Sequence, residues 1–342
     1  MNKITVIVPV YNVEKYIAKC LESLVNQTFK EYSVLVVNDG SPDNSIDIIN
    51  KYKDKYPNII NVIDKENGGY GSVLSEAIKT IDTEYFIVCD PDDYLEDSAL
   101  EYLYDLAIKN NADITIGAKT LVYSDNDQKE YDCSYNKSYC KLNNETTYNI
   151  NDKDFNNLYF IDPSPHSKLY KKTLATNIMF PEKVSFTDNI LFYCCMINSK
   201  TIVYTEKSCA YYLIDRVGNT MTDIKPKVID DHVIVFSYIL NYAKNISNIP
   251  SIFYYRIFES YKFIFREINR INAKKDIINL KCNNVYNLVK LLKPHFRLIK
   301  ENYEIYAKYE KLEKKKDYLL FSPLSRIIFN RNVKKLIENK YE

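Results

Sequence analysis

Three aspartates crowd one short stretch of the chain, residues 85–95, which reads YFIVCDPDDYL. Residues 85–89 form an apolar run of β-favouring side chains, which predicts a buried strand that stops at Asp90, Asp92 and Asp93. Carboxylates gathered at a strand mouth repel one another and raise each other's pKa unless a cation or a hydrogen-bond network compensates. Their hard oxygens suit Mn²⁺ or Mg²⁺, and Mg²⁺ is commonly held by one or two carboxylates together with substrate phosphates. The alternative is purely structural: Asp90 ends the strand and Asp92 or Asp93 caps a helix beginning near Glu96, aspartate being a favoured cap.

The elements that would position this cluster alternate. Strands are predicted at residues 4–8, 32–37, 59–63, 85–89 and 113–117, with helices at 13–24, from about 45, from about 70 to 81, and from about 97 to 109. That order implies an α/β fold: a mostly parallel sheet with helices on both faces. In such sheets ligands bind at the carboxyl ends of the strands. The residues just past those ends are Pro9-Val10-Tyr11-Asn12, Asn38-Asp39-Gly40-Ser41, residues 64–69 and Asp90 to Asp93, so four polar groups converge on one rim. Convergence favours a binding site over helix capping. Gly68, Gly69 and Gly71 suggest a loop that needs positive φ or close backbone approach.

Beyond residue 120 the pattern changes. Residues 123–157 are polar and aperiodic, which predicts an inserted loop-like segment with a hairpin. Polar groups suited to chemistry return at His166-Ser167-Lys168 and at Thr187-Asp188-Asn189, and from about Pro226 the chain reads as helical. Two domains are expected: 1–225, itself in two halves at 1–120 and 121–225, and a basic, aromatic-rich helical region at 226–342. Eight cysteines occur without a CxxC pair, and three histidines stand at no ligand spacing from them. Buried thiols in a reducing compartment are therefore expected, and a zinc site is not. With neither a spanning helix nor a leader in view, the expected location is cytoplasmic.

Net charge is +1 but uneven, since residues 251–342 hold 21 Lys and Arg against 10 Asp and Glu, a surplus of 11 that leaves about −10 for the rest. An acidic front without recognition motifs argues against nucleic acid. Residues 253–265 and 318–336 mix aromatic and aliphatic residues with Lys and Arg. Amphipathic helices of that composition can lie in an anionic membrane interface, giving a peripheral contact at the inner face of the cell membrane. They can equally bury their apolar stripes against one another.

The segments ITVIVPVYN (4–12), VVNDGSPD (36–43), ENGGYGS (66–72) and DPDD (90–93) resemble, in order and spacing, the motifs of the family 2 glycosyltransferases. The resemblance covers residues 1 to about 120, continues more loosely over 160–222, and leaves the tail uncovered. It implies a GT-A fold, a nucleotide-diphosphate sugar donor carried most often on UDP, a divalent cation, and transfer with inversion at the anomeric carbon to a glycan or lipid-linked acceptor in surface polysaccharide synthesis. Carried onto this chain, Pro9, Tyr11, Asn12 and Asp39 would hold base and ribose, with Gly69 beside them. Asp90 would lie near ribose and phosphate, Asp92 would be the main metal ligand, and Asp93 would support it.

Inversion also needs a base opposite the leaving group. Family members usually carry a Glu-Asp pair before a helix, and Thr187-Asp188 resembles it with Thr187 in place of the Glu, which makes Asp188 the expected base and Asp162 a substitute. His166 and Lys168 fall in the segment that resembles the acceptor side. Arg216, in RVGNT, resembles a residue that closes over the diphosphate, for which its planar fork is suited. Leu74 stands where many members place an Arg. Two other classes remain compatible with the same rim: a nucleotidyltransferase, although no Gly-rich basic loop follows the first strand, and a non-catalytic sugar-nucleotide or glycan-binding module.

Overall fold

The computed structural model describes residues 2–123, 128–214, 225–306 and 325–341. Contacts divide the chain into two compact units, one of Met1–Tyr135 with Lys141–Val217 and one of Asn136–Cys140 with Gly218–Glu342.

The first unit opens with β1 (Ile4–Val10), α1 (Ile17–Val25), β2 (Tyr32–Asp39), α2 (Ser45–Lys55), β3 (Ile60–Lys65), α3 (Tyr70–Thr80) and β4 (Tyr85–Val88). It continues through β5 (Tyr94–Leu95), α4 (Ala99–Asn110), β6 (Ile114–Val122), β7 (Lys129–Asp132), β8 (Thr146–Asn149), β9 (Lys168–Lys171), α5 (Asp188–Asn198) and β10 (Thr201–Leu213). The sheet order is β3-β2-β1-β4-β9-β6-β10-β5, with β7 on β6 and β8 on β10. Strands β1, β2, β3 and β4 are parallel; β9 runs against both β4 and β6, so β6 and its parallel neighbour β10 regain the direction of β4.

Every residue of β1 is buried. Ile4, Val6, Val8 and Val10 join a core with Ile17, Leu21 and Leu24 of α1 and Leu100 and Leu103 of α4, while α3 packs on β1 and β2. A strand flanked on both faces can carry a continuous apolar run without alternation. Pro9 gives the ladder no N–H, and β1 ends one residue after it. The chain leaves β1 toward β2 on one side, while β4 pairs on the other, so a topological switch point lies between β1 and β4. A crevice is expected at their carboxyl ends.

The expected strands are present, β4 ending one residue early and the others running further at their carboxyl ends; the expected hairpin within 123–157 is not found among the described residues, because β7 pairs antiparallel with β6 and β8 with β10 rather than with one another. Strand β9 was not foreseen. Its four residues, KLYK, are too few for a period to register, yet they fill the gap between β4 and β6.

The second unit holds α6 (Pro226–Ala243), α7 (Ser251–Glu267), α8 (Lys275–Leu292), α9 (Phe296–Tyr306) and α10 (Ser325–Tyr341). Helix α7 packs on α8 and α9, and α6 and α10 pack on α8. Phe253, Tyr254, Ile257, Phe258, Tyr261 and Ile264 of α7 are all buried. The 253–265 stripe offered above for a membrane interface is therefore part of the core of this unit, because helices that cover one another remove apolar surface from water; of the second stripe, residues 318–324 lie outside the described residues, Phe329 and Leu336 are buried and Ile327 is exposed. Among the described residues no helix is long and apolar enough to cross a membrane.

Candidate active site

The turn Asp90-Pro91-Asp92-Asp93 follows β4 and closes with the Asp93 N–H on the Asp90 carbonyl at 3.0 Å. Proline at the second position of such a turn is favoured because its φ is preset. The turn points its acids in different directions. Asp93 is buried, with Oδ1 accepting the Leu213 N–H at 2.8 Å and Oδ2 at 2.6 Å from His166 Nε2. Asp90 is half-buried and accepts a hydrogen bond from the Tyr70 hydroxyl at 2.8 Å.

Asp90, Asp93 and His166 place one ligand atom each within 4.8 Å of one another, the arrangement among the described residues that could hold a cation. Asp92, at the turn's third position, is not part of that group, and the imidazole that joins it comes from the segment before β9. Burial pushes Asp90 well above the usual carboxylate range, the charges of Asp92 and Asp93 add to the rise, and the Tyr70 hydrogen bond opposes it. Burial holds His166 well below its ordinary value, and Lys119 and Lys168 push the same way. His166 Nδ1 is buried without a partner. A neutral imidazole with an unused nitrogen beside two carboxylates fits a borderline divalent ion such as Mn²⁺, and a histidine ligand commonly gives its other N–H to a carboxylate.

Past β1, Tyr11 is 50% exposed, so its ring is open to a planar group. Asn12 is left-handed (φ 55°) and its N–H donates to Ser41 Oγ at 2.7 Å. Ser41 Oγ donates in turn to Asp43 Oδ1. Burial pushes Asp43 up, but hydrogen bonds from Ser45, Ser41 and the Glu14 amide outweigh it and bring the carboxyl down to about 2. These links fasten the β1 and β2 loops together.

Asp39 is buried and engaged by the loop after β3. Its oxygens accept from Gly68 N at 2.9 Å, Gly69 N at 2.7 Å and Lys65 Nζ at 2.8 Å. Ser72 Oγ adds a longer contact to Oδ1 at 3.5 Å, so the roughly four acceptor sites of the carboxylate are all engaged by the chain itself. Gly69 adopts φ +83°, and a Cβ there would lie 3.0 Å from the Lys183 backbone. Leu74 is fully buried, so that position of α3 supplies no cation to the site.

Asp188 opens α5. Burial lifts it to about 6, against hydrogen bonds from Asn189 and the charge of Lys168. Lys168 is fully buried, with Nζ donating to the Ser164 carbonyl at 2.6 Å and lying 5.7 Å from the Phe192 ring, one turn beyond Asp188. Burial and the neighbouring Lys119 push it down to about 7. Thr187 Oγ1 is buried with no partner. Asp162 pairs with Lys119 at 3.0 Å. Arg216 lies outside the described residues.

The Glycosyl transferase family 2 model matches residues 5–177, half of the chain, spanning the rim and the segment that carries His166 and Lys168. The chain belongs to glycosyl transferase family 2. This family 2 chain is 32% identical over 227 residues to a poly(ribitol-phosphate) beta-glucosyltransferase of Bacillus spizizenii, a match covering 64% of the chain and 33% of the relative. It spans about a third of that longer protein. Among solved structures it resembles S. aureus TarS in complex with UDP-GlcNAc, at TM-score 0.74 and 21% identity over 98% of this chain and 90% of the other. A more distant likeness, TM-score 0.53 at 14% identity over 95% and 87%, is to a mannosyltransferase of Pyrobaculum calidifontis in complex with GDP-Man and Mn²⁺. The fold is thus the GT-A fold that the motifs implied.

Tyr70 carries no signal in the sequence beyond its place in the glycine loop, yet it reaches Asp90, and His166, expected on the acceptor side, contacts Asp93. The signal for His166 would have been a lone histidine just before a strand that pairs with the acidic one.

Proposed function

We propose that this chain transfers a sugar from a UDP-sugar to a hydroxyl of a cell-surface polymer, with inversion at the anomeric carbon and with a divalent cation. The observation that carries the reading is the cation-competent group Asp90, Asp93 and His166 together with a second carboxylate, Asp188, raised to about 6 at the N-terminus of a separate helix. An acid and a base with different tasks need such different environments.

In this reading Tyr11 stacks on the base, while Pro9, Asn12, Asp39 and Gly69 form the donor wall. Asp90, Asp93 and His166 would hold the cation, with Asp92 beside them. When bound, the ion neutralises charge on the departing diphosphate. Asp188 is ionised at neutral pH and positioned as general base: the acceptor oxygen forms its bond to the anomeric carbon, the bond to the diphosphate oxygen breaks, and the acceptor proton passes to Asp188. Lys168 biases Asp188 toward its charged form. The relatives support the substrate class, since one is named for glucosyl transfer to poly(ribitol phosphate) and TarS was solved with UDP-GlcNAc. A phosphate-rich surface polymer is the acceptor this supports.

The test is release of UDP from UDP-glucose and UDP-N-acetylglucosamine with Mn²⁺. Turnover is expected in the wild type, loss on adding EDTA, and a drop of about 10²–10⁴ in Asp188→Asn. Turnover that persists in EDTA would remove the metal, and full activity in Asp188→Asn would remove the base. One observation favours a second reading, a binding module without turnover: Thr187, where the family usually has Glu, is buried with its hydroxyl unpaired. Binding of UDP-sugar with no UDP release would select it.

A further inference from the structure

Tyr70 is not explained by the roles assigned above. It is the first residue of α3 and stands between Gly69 and Gly71. A Cβ on Gly71 would meet the Pro181 carbonyl oxygen at 2.6 Å and the Thr187 methyl at 3.2 Å. The Lys183 N–H donates to the Gly68 carbonyl at 2.6 Å. Residues 180–187, which lead into Asp188, therefore lie directly on the glycine loop, closer than a side chain at either glycine would permit. The approach bends that segment, because Lys183 and Phe186 are both left-handed without being glycine, at φ 54° and 64°.

From this junction Tyr70 reaches the other way, to Asp90. Its hydroxyl makes the one hydrogen bond that the Asp90 carboxylate receives among the described residues. A hydroxyl donating to a carboxylate is a short, directional contact, and with Oδ1 held the carboxyl group cannot rotate freely. Tyr70 also lies within electrostatic range of both Asp92 and Asp188. One side chain thus stands between the acidic turn after β4 and the segment that delivers the second carboxylate.

We propose that Tyr70 is a positioning residue that locks the Asp90 carboxylate in its cation-holding orientation and ties it to the segment carrying Asp188. The inference rests on the transfer reading above. Tyr70 touches neither reacting atom in this scheme and acts through Asp90.

Tyr70→Phe keeps the ring and removes only the hydroxyl. With Mn²⁺ present, its Kd for UDP and its KM for a UDP-sugar are expected to rise about tenfold, with the unfolding midpoint close to wild type. In an Asp90→Ala background the same substitution is expected to add nothing, since the partner is gone. Unchanged UDP affinity in Tyr70→Phe overturns the proposal, as does an equal loss in the Asp90→Ala background, or a lowered midpoint with affinity intact. Those results leave the transfer reading standing. A wild type that neither binds UDP nor turns over a UDP-sugar overturns that reading, and the proposal with it.

Discussion

Asp188 illustrates a conflict between stability and chemistry in a single residue. Its carboxyl is lifted to about 6 mainly by burial, from an ordinary value near 4. Folding therefore favours the protonated acid. The stabilisation that its proton brings is full below about pH 4 and is lost as pH rises through about 6; above that the cost of burying the ionised form is felt completely. Asp188→Asn carries no charge to bury. It should stabilise the protein by about 1–2 kcal/mol at pH 8, allowing for solvent screening of a half-buried group, and by nothing near pH 4. Urea unfolding at the two pH values measures this, and equal effects at both would show that the carboxylate is not penalised. The wild-type transfer rate should fall as pH drops below about 6, while the more stable Asn variant should keep its much lower rate without that dependence, the trade-off expected where a site is built against local preference.

Helix α7 makes the corresponding point for elements. An amphipathic segment rich in aromatic and basic residues has the same sequence pattern whether it meets a membrane or another helix. Here the apolar stripe faces α8 and α9: Phe258 is fully buried, its ring 6.1 Å from Tyr261 and 6.2 Å from Tyr303 of α9. Phe258→Ala should accordingly cost about 3–5 kcal/mol of stability, as expected for an emptied aromatic core position, read from the denaturant midpoint. A membrane-inserting residue would behave differently, leaving stability in water unchanged and weakening flotation with anionic vesicles. That second outcome would return α7 to the surface.

For the molecule as a whole, binding and folding are linked. Burial and the charges of Asp92 and Asp93 raise the cost of ionising Asp90, so a ligand that neutralises the β4 turn should stabilise the folded state well beyond the turn itself. Mn²⁺ and UDP together, at about a hundred times Kd, should add roughly 2.7 kcal/mol by mass action and raise the thermal midpoint. EDTA should cancel the Mn²⁺-dependent part of that gain. A midpoint indifferent to both additions would mean that the rim binds neither.

Much of this protein was legible in the sequence because the relevant signals are local. An apolar run such as ITVIVPV forms a buried strand wherever it is placed, and alternation with helices leaves a parallel sheet as the simplest way to cover it. The carboxyl-end rule places Tyr11, Asp39 and Asp90 on one rim from strand order alone. Contacts across the fold could not be read this way. That His166 meets Asp93, that Tyr70 reaches Asp90, and that Asp39 is occupied by Gly68 and Gly69 depend on β9 inserting between β4 and β6 and on two glycines letting distant backbones touch. Spacing along a chain carries the period of an element and its turns; which side chains meet is decided by pairing and packing between elements far apart in sequence, so only the tertiary structure settled the site's inner contacts.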